Sequence, residues 1–267
     1  MSFFDTVVAH QNTLSQLHFV SSDRTLPVIN SSFKQLLSYF IEPFGFPWSD
    51  LELTNESDEE IAKINELQEN CIVESRKLPG VCSYLVRSVT RLEQQMDIVL
   101  SGLNSIDLES RIKYDEYFSG GEVLQDLDYQ DQSHIVHLNF KSPFNTISKS
   151  MDMVLLRSLK QAQNANVVML LNLSVEHAKA PVDSKTIRLT TTCSGFLLGS
   201  LPDGSTLVYY LNQFAPGMYL PSIITHRIMR SWALMPAKLN TVMDQLSFQQ
   251  NTMIRNITEV IAEDDDM

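Results

Sequence analysis

Arg111 and Asp115 stand four residues apart in LESRIKYDEYF, the spacing that puts two side chains on one face of a helix. Left in solvent, such a pair contributes roughly 0.3–0.5 kcal/mol. His134 and His137 lie three apart in SHIVHLNF, a segment with strand character, so they face opposite ways and no metal is expected between them. Glu176 and His177 are adjacent and are the candidates for acid–base chemistry. No G-x-S-x-G elbow, Gly-rich phosphate loop or zinc spacing accompanies them, so an enzyme is not expected. Between Pro221 and Asn256 the bases Arg227, Arg230, Lys238 and Arg255 stand against Asp244 alone. That local excess is either chance or a face for an anionic membrane. In the second reading Met229, Trp232 and Met235 beside the charges form an interfacial, adaptable lid.

The 267-residue chain has a net charge of −12, an acidic pI near 4.9 and 43% hydrophobic residues. A sizeable core is expected. The acidic balance excludes nucleic acid as a main partner, because phosphate backbones require a basic surface. It also argues against broad adhesion to anionic lipid, although a local basic patch can still dock. Cys71, Cys82 and Cys193 are too sparse for a disulfide framework and imply free thiols in a reducing compartment. No secretory leader and no bilayer-length apolar run is read, so a cytoplasmic protein, peripheral and transient at membranes, is expected.

Ile187–Gln213 reads as a long β-hairpin. Ile187, Leu189, Thr191 and Cys193 alternate with polar residues, the alternation slips at Ser194-Gly195, and Pro202-Asp203-Gly204 supplies the turn. Upstream, residues 1 to about 45 read as two helices broken at 21–27, the second capped at Asn30-Ser31-Ser32. The acidic stretch 50–70 lacks the D-x-D-x-D-G calcium pattern and reads as a loop or solvated face. Strands are expected at 71–78 and 81–90, helices at 91–103 and 108–118, with Ser119-Gly120-Gly121 as a stop. Further strands are expected at 122–128, 133–141, 151–159 and 166–175. A terminal helix from Ser222 to about Glu263 should kink or restart at Pro236. These elements give an α+β protein in which a curved antiparallel β-sheet is covered by an amphipathic C-terminal helix.

Element order and several short motifs resemble the START (StAR-related lipid-transfer) domain family. Arg111-Ile112-Lys113-Tyr114-Asp115 is similar to the family's R-x-x-W-D helix, with Tyr114 for Trp. Met151-Asp152-Met153-Val154-Leu155-Leu156-Arg157 resembles its R-D-[FY]-V-x-x-R strand, with Met151 for Arg. Ser174-Val175-Glu176-His177, Pro181, Ile187-Arg188, Ser194-Gly195 and the Gly217–Pro221 helix entry complete the set. The resemblance covers roughly 33–248. It implies a helix-grip fold with an internal lipid tunnel, residues 1–32 being an N-terminal helical extension and 33–267 the lipid-binding domain with an acidic tail.

The resemblance also implies a function: one lipid carried between membranes in a cavity gated by the C-terminal helix, with no cofactor and no metal. A phospholipid is the expected cargo; a sterol carrier, or a lipid-sensing module without transfer, is the alternative. In the phosphatidylcholine-transfer branch the residue matching Arg111 holds phosphate and that matching Asp115 orients it, which suits a planar guanidinium. The choline cage of that branch falls here on Leu138, Met153 and Thr192, none with a π face; Tyr209 or Tyr210 is the aromatic at hand. In the cholesterol-binding branch the Arg position is Arg157, and the facing acid falls on Leu138 or Asn139. Arg157 is therefore either structural or a lipid contact. The expected lipid-binding residues are Arg111, Asp115, Leu138, Met153, Arg157, Thr192, Tyr210 and Trp232. The expected docking and gate residues are Arg227, Met229, Arg230, Trp232, Met235 and Lys238.

Overall fold

The computed structural model describes residues 2–14, 16–17, 27–44, 49–50, 58–68, 71–77, 84–127, 133–142, 149–163, 166–216 and 222–243. Cys82, the Gly217–Pro221 helix entry and the acidic tail lie outside them. Helix α1 (Phe3–Leu14) opens on a capping box: Asp5 N–H donates to Ser2 Oγ at 3.1 Å and Ser2 N–H to Asp5 Oδ2 at 3.1 Å. Helix α2 (Pro27–Ile41) begins at Pro27, not after Asn30-Ser31-Ser32, because Pro presets φ in the first turn and gives up a donor that has no partner there. Residue 32 therefore falls inside α2.

Strands β1 (Ser49–Asp50), β2 (Cys71–Lys77) and β3 (Tyr84–Leu92) pair antiparallel. Between the first two, Asp58–Gln68 forms α3, so this part of the acidic stretch is a helix and not a loop. Its half-buried Ile64 and Leu67 pack on the main core and leave Glu66 exposed. Helix α4 (Met96–Asn104) follows, then α5, only Leu108–Arg111, capped by Asp107 accepting from Ser110 N–H at 2.8 Å. The expected 108–118 helix stops early because Phe118 already begins β4 (Phe118–Leu127). Ser119-Gly120-Gly121 lies in that strand rather than ending a helix. Gly120 takes φ +151° at a slip in the β4–β5 register, a conformation that favours glycine.

The remaining strands are β5 (Ser133–Phe140), β6 (Ser150–Gln161), β7 (Val167–Ser174), β8 (Thr186–Ser200) and β9 (Thr206–Pro216). All nine form one sheet in the order β1-β2-β3-β9-β8-β7-β6-β5-β4. Neighbours run antiparallel, with one addition. Beyond the short β7, Ser150–Asp152 of β6 meets Thr186–Arg188 of β8 in a parallel pairing. Asp152 and Arg188 are register partners there and form a two-pronged ion pair with both bonds at 2.8 Å.

Two hydrophobic cores lie on opposite faces of the sheet. The outer one joins Val7, Leu14, Ile29, Phe33, Leu36 and Phe40 of α1 and α2 to outward residues such as Met169, Cys193, Leu197 and Tyr209. The inner one packs α6 (Ser222–Ala233) and a further helical stretch over 235–243 against the concave face. Covered on both sides, β7 and the second half of β8 are buried at nearly every position, which is why their sequences read as apolar runs. The C-terminal helix restarts as expected, with a turn at Leu234 two residues before Pro236. Ser88 Oγ donates to the Ala233 carbonyl at 2.6 Å and ties the break to β3.

Candidate functional site

A cavity of about 50 Å³ lies between the concave face and the C-terminal helix. Leu138, Phe140, Met153 and Leu155 come from β5 and β6, Phe196 and Tyr210 from the hairpin β8–β9, and Trp232 and Met235 from either side of the helix break. Ring contacts hold this wall together: Trp232 lies 5.5 Å from Phe140 and 5.7 Å from Phe214, and Phe196 lies 5.0 Å from Tyr210. One end is polar. Arg111, Arg157, Asn172, Thr191, Ser194 and Asn212 converge there on an otherwise apolar lining.

Arg111 sits at the last turn of α5 and is 6% exposed, so its pair with Asp115 is buried, not a surface decoration. Arg111 Nε donates to Asp115 Oδ2 at 3.1 Å, and a second guanidinium nitrogen lies 3.0 Å from the same oxygen. The guanidinium stacks 4.6 Å over Phe118. Burial raises the Asp115 carboxyl above its ordinary value, with Arg111 working against the rise. Asp115 stands behind Arg111 and does not itself line the cavity.

Arg157, on β6, donates to Asn172 Oδ1 at 3.2 Å and to the Asn104 carbonyl at 2.9 Å. Arg111 donates to the Ser105 carbonyl at 3.1 Å, and Tyr114 Oη to the Gly102 carbonyl at 2.6 Å. These carbonyls belong to the C-terminal turn of α4 and its exit, the negative end of a helix, so two cations and a hydroxyl cap it. Behind that turn lies an open groove of about 760 Å³ lined by Asn104, Ser105, Tyr114, His134, Leu159, Leu239 and Met243 among others. The α4 turn thus separates groove from cavity. Gly102 lets the wall close: a Cβ there would meet Met243 Cε at 2.8 Å.

Of the residues expected to contact lipid, Arg111, Leu138, Met153, Arg157, Tyr210 and Trp232 line one cavity. Thr192 does not. Thr191 shares strand parity with the inward Ile187 and Leu189, so Thr192 points the other way and is exposed; the register then slips between Thr191 and Ser194, slightly before the expected bulge, and brings Ser194 and Phe196 inward. Among the gate residues, Arg227 and Lys238 are half-buried, whereas Met229, Arg230, Trp232 and Met235 are buried in the inner packing. The basic helix is also answered locally: Lys238 Nζ lies 3.2 Å from Glu116 Oε1, which accepts from Ser231 Oγ at 2.6 Å. Arg255 lies outside the described residues.

The polar floor of Asn172, Thr191, Ser194 and Asn212 was missed. A signal existed, since Asn172 and Asn212 share strand parity with Leu170, Tyr210 and Phe214, which face the inner core. His137 faces outward to Asp152 at 2.9 Å and Glu122 at 3.5 Å, opposite His134. His177 pairs with Gln125 at 3.2 Å on the surface. Cys71 and Cys193 are buried free thiols that burial pushes up to about 12. No helix among the described residues is long and apolar enough to cross a membrane.

A family model described as the START domain matches residues 65–245. Among solved structures, human StAR-related lipid transfer protein 5 is similar at 18% identity and a TM-score of 0.66, over 89% of this chain and 99% of that one. Human STARD10 is similar at 16% identity and 0.55, over 78% and 89%. The human StarD13 (DLC2) lipid transfer and protein localization domain is similar at 21% identity and 0.52, over 70% and 98%. These likenesses establish the helix-grip fold. No curated protein matches the chain.

Proposed function

The chain belongs to the START domain family, and from that premise we propose that it binds one phospholipid in its interior and moves it between membranes, the C-terminal helix acting as gate. The observation that carries the reading is the buried Arg111–Asp115 pair and Arg157 meeting at one end of an apolar cavity. Guanidiniums in a dry wall suit a phosphate, and the rest of the lining suits acyl chains at about 0.8 kcal/mol per buried methylene. About 50 Å³ holds a water or two, so loading requires the wall to part. The restart at Leu234, the Glu116 contacts and the close fit at Gly102 are the places where it would part. Met229, Trp232 and Met235 would then meet the bilayer, flanked by Arg227 and Lys238 at the anionic surface. In the same reading, residues 1–32 are an extension bracing the outer face, and the protein is cytoplasmic, non-enzymatic and only transiently at membranes.

A sterol, with a single hydroxyl, would leave the charge at Arg157 unanswered, Arg111 already having Asp115, which is why phospholipid is the primary reading. Native mass spectrometry of purified protein, with transfer between vesicles followed by fluorescence, tests it. Co-purified phospholipid and accelerated transfer support the reading. Sterol in its place sinks the phospholipid claim, and saturating protein that moves neither lipid sinks the carrier claim.

A further inference from the structure

Two guanidiniums reach the polar end of the cavity, and one carboxylate answers them. Arg111 has Asp115. Arg157 is 3% exposed, and its hydrogen bonds go to neutral acceptors: Asn172 Oδ1, the Asn104 carbonyl at 2.9 Å and Asn104 Oδ1 at 3.4 Å. No carboxylate lies within ion-pairing distance of Arg157 among the described residues. Neutral oxygens accept from its Nε and Nη1, but they do not replace the solvation of a full charge. Burial, then the neighbouring Arg111 charge, pushes the Arg157 guanidinium down to about 9. Among the described residues, the polar end of the cavity therefore carries one positive charge more than its side chains balance.

A ligand can supply the missing charge. Asp115 pairs with Arg111, its side chain is fully buried and it does not line the cavity. A phosphodiester or carboxylate at the polar end would cancel the surplus, and the two planar forks could share its oxygens. A zwitterionic headgroup would restore the surplus, because its ammonium is tethered next to the phosphate. The aromatic rings of the lining are engaged, Phe140 with Trp232 and Phe196 with Tyr210, and Trp232 also meets Phe214 behind the lining. Thr191, not an aromatic, faces inward beside Asn172 and Asn212.

We infer that this cavity selects a lipid whose headgroup bears a net negative charge, its acid oxygens held between Arg111 and Arg157, over zwitterionic lipids with the same chains. The inference rests on the lipid-carrier reading and narrows it. Full-length protein is mixed with vesicles of equal parts phosphatidylglycerol and phosphatidylcholine carrying identical acyl chains, re-isolated, and analysed by native mass spectrometry. Phosphatidylglycerol is expected to exceed phosphatidylcholine by about tenfold. In Arg157→Gln the preference falls toward unity while lipid is still taken up. In Arg157→Lys, which keeps the charge and serves if the first variant fails to fold, the preference persists. Equal or greater capture of phosphatidylcholine by the natural protein overturns the inference and leaves lipid carriage standing, as does an undiminished preference in Arg157→Gln. Capture of neither lipid overturns the carrier reading itself. Millimolar inorganic phosphate that raises the melting temperature and blocks phosphatidylglycerol uptake only weakly supports the headgroup assignment. Phosphate that raises the melting temperature with no lipid captured overturns it in favour of a free anion.

Discussion

Ser231 Oγ donates to Glu116 Oε1 at 2.6 Å and so ties α6 to the turn that precedes β4. Lys238 Nζ reaches the same oxygen from beyond the helix break. Burial pushes the Glu116 carboxyl up, but the Lys238 charge and the Ser231 bond outweigh it and hold the carboxyl below its ordinary range. One acidic side chain thus grips the C-terminal helix on both sides of Leu234. Glu116→Gln should accelerate vesicle-to-vesicle transfer severalfold. It should cost under about 1 kcal/mol of stability, since the Lys238 pair is partly solvated. An unchanged transfer rate with normal lipid loading would show that the helix is not what opens.

Removing Arg111 should cost more than an exposed pair would. Arg111→Ala leaves the buried Asp115 carboxylate without its cation, a loss of about 3 kcal/mol. Arg111→Ala combined with Asp115→Asn should recover much of that stability but not phospholipid uptake. Denaturant unfolding and lipid capture on the natural protein and the two variants separate packing from binding. Full uptake in the double variant would take Arg111 out of the headgroup site.

Gly195 has no room for a side chain. A Cβ there would sit 2.2 Å from the Leu170 carbonyl oxygen on the neighbouring strand and 2.7 Å from Leu36 Cδ2 of α2. Backbone cannot yield as a side-chain tip can, so Gly195→Ala should destabilise by about 2 kcal/mol or more. A melting temperature within a degree or two of the natural protein's would contradict this packing.

His10 of α1 stacks on Tyr209 of β9, with ring centroids 5.6 Å apart and Nδ1 3.2 Å from the hydroxyl. Burial lowers its pKa to about 4 from an ordinary 6.5. The unfolded chain therefore binds this proton first as pH falls. Stability tied to His10 is whole above about pH 6.5 and drains away down to about pH 4, by an amount on the order of 3 kcal/mol. His10→Gln should flatten that part of the stability–pH curve relative to the natural protein. Parallel curves would mean that His10 binds its proton equally in the folded and unfolded chain.

Ser88→Ala should cost about 1 kcal/mol, because the Ala233 carbonyl it serves lies at a helix break and is buried. Hydrogen exchange should rise in 222–243 and stay level in β8. Unchanged exchange there would show that other bonds hold the break.

Much of the fold was legible because period-2 and period-3.6 patterns survive wherever one face meets a core and the other meets water. Legibility failed where that condition fails. The 58–68 helix carries so many carboxylates that only Ile64 and Leu67 mark its buried side. The 119–121 segment looks like a helix stop because glycine also serves strand bulges. In the site, Arg111 with Asp115 was visible from spacing, but their burial was not. That depends on Phe118 and the α4 turn, which are set by tertiary packing. Thr192 was made a lipid contact by the family resemblance, whereas the strand alternation, with Ile187, Leu189 and Thr191 on the opposite face, already pointed it outward.

Where β7 stops at Ser174, β6 and β8 come together, and Arg188 bolts the closure to Asp152. Among the described residues the sheet is therefore sewn together at the Met151 end of β6, while the Leu159 end lies beside the open groove. On the lipid-carrier reading proposed above, the groove side is the door. Loading and unloading are then the same movement run in opposite directions, and a substitution that loosens the door quickens both without favouring either.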